Sequence, residues 1–176
     1  TGERIAAIGL GTWLTFDVGD EIGARTRRLD VLRAFFDAGG GMIDSSPMYG
    51  RAERLLGELL PQVAHGGRLF AATKVWTAFA RVGPTQMAES LRLWGPGGDG
   101  RVPGAGSRRF DLMQVHNLLA WSEHLRTLRQ WKEQGRCRYI GVTTSHGRRH
   151  DEMETILRRE PIDFMQITLN LADRSA

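Results

Sequence analysis

The amino-acid sequence predicts an α/β fold in which parallel strands alternate with covering helices, and three observations carry that prediction. Short apolar runs alternate with longer amphipathic stretches along all 176 residues. The apolar runs are hydrophobic at adjacent as well as alternate positions, as expected of strands covered on both faces by crossover helices. Polar residues capable of chemistry stand at or near the ends of three successive runs, at Asp44, Lys74 and His116.

The elements follow in order. Ile8-Gly-Leu-Gly-Thr-Trp13 reads as a strand leaving through a glycine-containing turn. Leu29, Leu32, Phe35 and Phe36 recur at helical spacing up to Ala38, and Gly39-Gly40-Gly41 stops that helix. Residues 42–46 form a strand with polar residues at its end. Leu55, Leu56, Leu59 and Leu60 mark a helix from Ala52 that Pro61 follows, and 69–75 is the third strand. A helix over 84–94 accepts Pro84 in its first turn and places Met87, Leu91 and Trp94 on one side. The fourth strand spans 112–116. Ser122 is the expected cap of a helix carrying Leu125, Leu128 and Trp131. A strand over 139–144, a helix over 151–159 with Met153, Ile156 and Leu157 inward, and a strand over 164–169 complete the pattern.

This alternation suits a doubly wound sheet and a closed barrel alike. Gly9-Leu-Gly11 after the first strand hints at a dinucleotide fingerprint, but Leu14 occupies the place of the third glycine. No acidic residue closes a second strand at the required distance, so that reading fails. The segment 95–109 (GPGGDGRVPGAGSRR) is expected to be a flexible loop, because it lacks the Gly-Lys-Ser/Thr of a phosphate cradle.

Composition narrows the function classes. A 41% apolar and 25% charged chain of this length is ordinary for a single globular domain, and no apolar run is long enough to span a bilayer. The net charge of +4 comes from arginines such as Arg108-Arg109, Arg148-Arg149 and Arg158-Arg159. They are scattered and not interleaved with aromatics, which argues against nucleic acid as a partner. Cys137 is the sole cysteine, so no intramolecular disulfide forms. A cytoplasmic location and a monomer are the default expectations, with an exported form whose leader is removed as the alternative.

Parallel strands bring Asp44, Lys74 and His116 to one rim of a barrel, where such folds hold their chemistry. Tyr49 follows Asp44 after a short loop and can lean over the same mouth. Taken singly, each is ordinary: a turn aspartate, a loop tyrosine, a snorkelling lysine and a core histidine. Their conjunction on one rim is the signal.

The sequence resembles the aldo-keto reductases. GLGTW at 9–13, IDSSPMYG at 43–50, ATKVW at 72–76, DLMQVHN at 111–117 and RYIGVTT at 138–144 look like successive signatures of that family, in order along essentially the whole chain. The resemblance implies a (β/α)8 TIM barrel and a catalytic tetrad of Asp44, Tyr49, Lys74 and His116. It implies NADPH as hydride donor, with NADH as an alternative, and a small carbonyl compound as substrate. Gly11, Thr12, Trp13, Asp44, Thr143, Thr144 and Gln166 would line the cofactor side, and Trp13, Met48, Trp76 and Asn117 the substrate pocket. No metal is implied.

Those roles make physical sense. Carbonyl reduction needs hydride on carbon and a proton on oxygen. A free phenol titrates near 10 and gives up its proton reluctantly. An ammonium at Lys74 would stabilise the phenolate and lower the Tyr49 pKa, with Asp44 holding the lysine charged. His116 would donate to the carbonyl oxygen and orient it.

The chain departs from the family at Thr143-Thr144, where Ser-Asn is common, and at Asn117-Leu118, where an aromatic and proline often follow the histidine. About six strands are recognisable where the barrel needs eight. A fragment of a longer enzyme is the expectation, and at this length weak cofactor binding and poor activity. Two rivals compete: a nucleotide-binding sensor or remnant on the same fold, and a metal-dependent hydrolase using His146, His150 and Asp151.

Overall fold

A computed structural model describes residues 2–96, 108–145, 147–172 and 174. Among these residues six strands and five α-helices alternate in chain order: β1 (Gly9–Gly11), α1 (Ile22–Asp37), β2 (Met42–Asp44), α2 (Ala52–Leu59), β3 (Phe70–Val75), α3 (Gly83–Trp94), β4 (Phe110–Val115), α4 (Trp121–Glu133), β5 (Cys137–Thr143), α5 (His150–Arg159) and β6 (Phe164–Gln166). Each strand pairs in parallel with the next, giving one sheet in sequence order.

The sheet is curled into part of a barrel. Strands lie about 4.8 Å apart, so β3 and β6 would be about 14 Å apart in a flat sheet. Yet the rings of Phe70 on β3 and Phe164 on β6 have centroids 6.1 Å apart, and Phe70 stacks on Tyr139 of β5 at 6.2 Å. Phe70, Ala72 and Leu112, with Ile5, Met42, Tyr139 and Phe164 packed on them, form a small apolar cluster on the concave side. The alternate residues Ala71, Val75, Met113, Val115, Ile140 and Val142 belong to the larger core beneath the helices. Above the concave apolar layer, toward the strands' C-terminal ends, the inward positions become polar.

The expected elements are all present, with shifted ends. Helix α1 begins at Ile22, well before Leu29; its first turns carry no apolar stripe for periodicity to show, and Ile22 itself is 83% exposed. Arg25, paired with Asp20 and Glu58, ties this turn down instead. Ser122 does not cap α4. Ala120, in the left-handed region at φ 42°, precedes Trp121, and the Ser122 hydroxyl donates to Glu123 at 2.8 Å. On α5, Met153 and Ile156 are buried, but Leu157 is 44% exposed and faces away from the core. β4 ends at Val115, and His116 opens a short 3-10 turn to Leu118.

Helices α2 and α3 pack very closely. A Cβ at Gly57 would lie 1.9 Å from the carbonyl oxygen of Leu93, so only glycine permits this approach. Of the 95–109 segment, only Gly95, Pro96, Arg108 and Arg109 are described, and 97–107 lie outside the described residues. Among the described residues, no helix is long and apolar enough to cross a membrane.

Candidate active site

The four side chains expected at one rim do meet there. Asp44 ends β2, Lys74 stands one residue from the end of β3, and His116 follows the last residue of β4. The Lys74 ammonium donates to both carboxylate oxygens of Asp44, at 2.7 and 2.6 Å, and to the Ser45 carbonyl at 2.9 Å. These three bonds use all three ammonium protons. Lys74 acts on its other neighbours through its field: its Nζ lies 5.3 Å from the centroid of the Tyr49 ring. The Tyr49 and His116 rings meet edge to face, 5.7 Å apart at 88°.

The local chain explains this convergence. Parallel register sets Gly11 beside Asp44, and Asp44 beside Ala72. Tyr49 is brought back over the strand ends by a turn in which its N–H donates to the Ser46 carbonyl at 2.9 Å. The Ser46 hydroxyl oxygen accepts from the Met48 N–H at 3.2 Å and lies 2.9 Å from Nδ1 of His116. The serine oxygen can accept a second bond or give its own proton to Nδ1, and in the latter case the imidazole proton stands on Nε2. The sequence reading missed Ser46. Its only signal there was a second serine after Asp44.

The electrostatics differ from expectation at the tyrosine. Burial, with the Asp44 carboxylate adding to it, pushes the Tyr49 phenol up to about 12. The Lys74 ammonium, paired with both Asp44 oxygens, does not offset this rise. Burial pulls Lys74 itself down, and Asp44 opposes the pull. Burial and the neighbouring Lys74 lower His116 to about 4, so its ring is neutral near pH 7.

The other expected site residues divide. Trp13 and Trp76 are 50% and 40% exposed at the rim, and Met48 and Asn117 are half-buried. Gln86 of α3 holds Trp76 by both backbone groups, at 2.6 and 2.9 Å. Gly11 and Gln166 are exposed at the ends of β1 and β6. Thr12 is fully buried, and its hydroxyl lies 3.0 Å from both the Asp44 carbonyl and the Ser45 hydroxyl. It braces the Asp44–Ser45 segment. Thr143 is likewise buried, its oxygen accepting from the Asn117 N–H at 3.1 Å. Thr144 differs: its N–H donates to the Gln166 carbonyl at 3.0 Å, but among the described residues its buried hydroxyl has no partner, and neither has the side-chain oxygen of Asn117. Two unsatisfied polar atoms beside the mouth fit a ligand carrying both donor and acceptor, such as a carboxamide.

His150 and Asp151 open α5, while His146 lies outside the described residues. Among the described residues, no group of three or more His, Cys, Asp or Glu could hold a metal ion.

A part-barrel of parallel strands with a buried Lys–Asp pair, a tyrosine and a histidine at its C-terminal rim places the chain among (β/α)8 barrel proteins. The sequence profile of the Aldo/keto reductase family matches residues 7–176, and the chain belongs to that family. It is 24% identical over 188 residues to the aldo-keto reductase YhdN of Bacillus subtilis, an alignment covering 99% of this chain and 53% of the relative. The chain thus spans about half the length of that curated protein. Among solved structures, a Pseudomonas aeruginosa protein assigned to the aldo-keto reductases superposes with TM-score 0.75 at 25% identity, covering 99% of this chain and 66% of the other. An aldo-keto reductase from Klebsiella pneumoniae in complex with NADP and acetate gives TM-score 0.74 at 22% identity, covering 97% and 56%.

Proposed function

We propose that the chain carries the proton-handling site of an NADPH-dependent reductase that converts aldehydes or ketones to alcohols. The single observation that supports this best is the convergence of the Tyr49 phenol, the Lys74–Asp44 pair and the neutral His116 imidazole at one rim. Family membership supports the oxidoreductase class, and structures of relatives with NADP or NADPH support the cofactor.

In this reading the nicotinamide supplies hydride when bound, and the chain's own residues manage the proton. Thr144 and Asn117 offer the two unpartnered atoms to its carboxamide, with Gln166 and Gly11 flanking the same mouth. The Nε2–H of His116 donates to the carbonyl oxygen and fixes its direction. Tyr49 then transfers its phenolic proton to that oxygen as negative charge develops there. The phenolate left behind lies within the field of the Lys74 ammonium, which Asp44 holds charged. Trp13, Met48 and Trp76 form an apolar rim suited to substrates with hydrophobic bodies.

NADPH oxidation with a panel of aldehydes and ketones tests the proposal. Carbonyl-dependent oxidation that follows the apolar size of the substrate is expected. NADPH binding without turnover would instead favour the nucleotide sensor.

A further inference from the structure

Glu53, in the first turn of α2, is a buried carboxylate that the proposed chemistry does not use. It is 4% exposed, yet both oxygens are engaged: Oε1 accepts from the Thr73 hydroxyl at 2.6 Å and the Trp94 indole N–H at 2.9 Å, and Oε2 from the Ser90 hydroxyl at 2.8 Å. The indole can only donate, and three donors on two oxygens are the environment of an ionised carboxylate. The three partners come from two elements. Thr73 lies on β3, next to Lys74, while Ser90 and Trp94 are one turn apart on α3. The close approach that Gly57 permits brings α2 onto α3 and makes this contact possible.

Strand alternation turns Thr73 toward the helices and Lys74 toward the barrel interior. A buried lysine is therefore flanked by two carboxylates, Asp44 on the concave side and Glu53 behind the wall. We propose that Glu53 is a positioning residue for Lys74, clamping β3 through Thr73 and adding a second negative charge that keeps the lysine an ammonium. The inference rests on the reading of Lys74 as the charge beside the reacting phenol. The groups facing Lys74 are Asp44 from β2, Tyr49 from the β2–α2 connection, His116 after β4 and Glu53 from α2. Of these, the two carboxylates are the ones whose negative charge favours its ammonium form, with the Tyr49 ring face adding a weaker attraction. Burial raises the Glu53 carboxyl, while its three donors and Lys74 pull it back, so the coupling is mutual.

The sequence offers a direct test, because Lys74 and Lys132 are the only lysines. Lysine labelled with carbon-13 at Cε gives two NMR signals whose titration needs neither cofactor nor turnover. Glu53→Gln preserves shape and most of the hydrogen bonds while removing the charge. It is expected to weaken proton binding at Lys74 roughly threefold to tenfold and leave Lys132 unmoved. An unchanged Lys74 titration would overturn the proposal and leave Glu53 a structural clamp. Should Glu53→Gln fail to fold, the reciprocal experiment decides. With glutamate labelled at Cδ, Lys74→Met must raise the Glu53 titration by the same factor, and no shift there overturns the proposal equally. Failure of the reductase reading would appear separately, as absent NADPH oxidation in the unaltered chain.

Discussion

Ser46 Oγ lies 2.9 Å from Nδ1 of His116, joining residues 70 apart in sequence. When the serine gives its proton to Nδ1, Nε2 keeps the ring proton, the arrangement the proposed mechanism requires. In the proposed mechanism Ser46 thus selects the tautomer that the donor role of His116 needs. Ser46→Ala is expected to lower kcat roughly tenfold with little change in cofactor affinity. Nitrogen-15 NMR on the unaltered chain should report the Nε2–H tautomer, and an Nδ1–H signal would refute the assignment.

His116 also makes stability depend on pH. Its folded pKa is about 4, against 6.5 for the free group. Below 6.5 the unfolded chain takes up a proton on this imidazole that the folded chain refuses until near 4. The contribution is therefore full above 6.5 and lost as pH falls toward 4, amounting to at most about 3 kcal/mol. Urea unfolding between pH 7 and 4 should show this slope, and His116→Gln should lessen it. Equal slopes in both proteins would show that the burial at His116 is not as described.

The buried Lys74–Asp44 pair predicts an order of damage. Lys74 has a side chain 1% exposed and Asp44 one 16% exposed. Asp44→Asn strands the more deeply buried charge, so it should cost more stability than Lys74→Met, about 3–5 kcal/mol for the worse of the two. Thermal melts of both variants check this, and the reverse order would contradict it.

Tyr49 is expected to ionise near pH 12 in the chain without ligand, held there by burial and the Asp44 charge. Tyr139 is the only other tyrosine, so an ultraviolet titration against Tyr49→Phe isolates the signal. A Tyr49 midpoint below 10 would mean that the Lys74 field dominates after all.

Much of this was legible in the chain itself. Strand-helix alternation fixed the order of the elements, and one-sided polar residues at strand ends located Asp44, Lys74 and His116, because parallel strands share a rim. What stayed hidden depends on contacts between distant segments. The start of α1 has no apolar face to reveal it, and α4 opens after Ala120 in a left-handed conformation with no side-chain cap. Thr12 and Thr143 look like mouth residues in a linear reading, but their oxygens are used by neighbouring segments. The phenol's rise could not be read from motif spacing either. It follows first from how deeply the fold buries the ring and then from the Asp44 carboxylate beside it.

The most direct test of the account is single-turnover oxidation of bound NADPH by an aldehyde, compared between the unaltered protein and Tyr49→Phe. The account predicts oxidation in the first and a loss of at least about a hundredfold in the second, with NADPH affinity preserved. Equal rates in the two proteins would contradict it, because the proton would then have come from elsewhere.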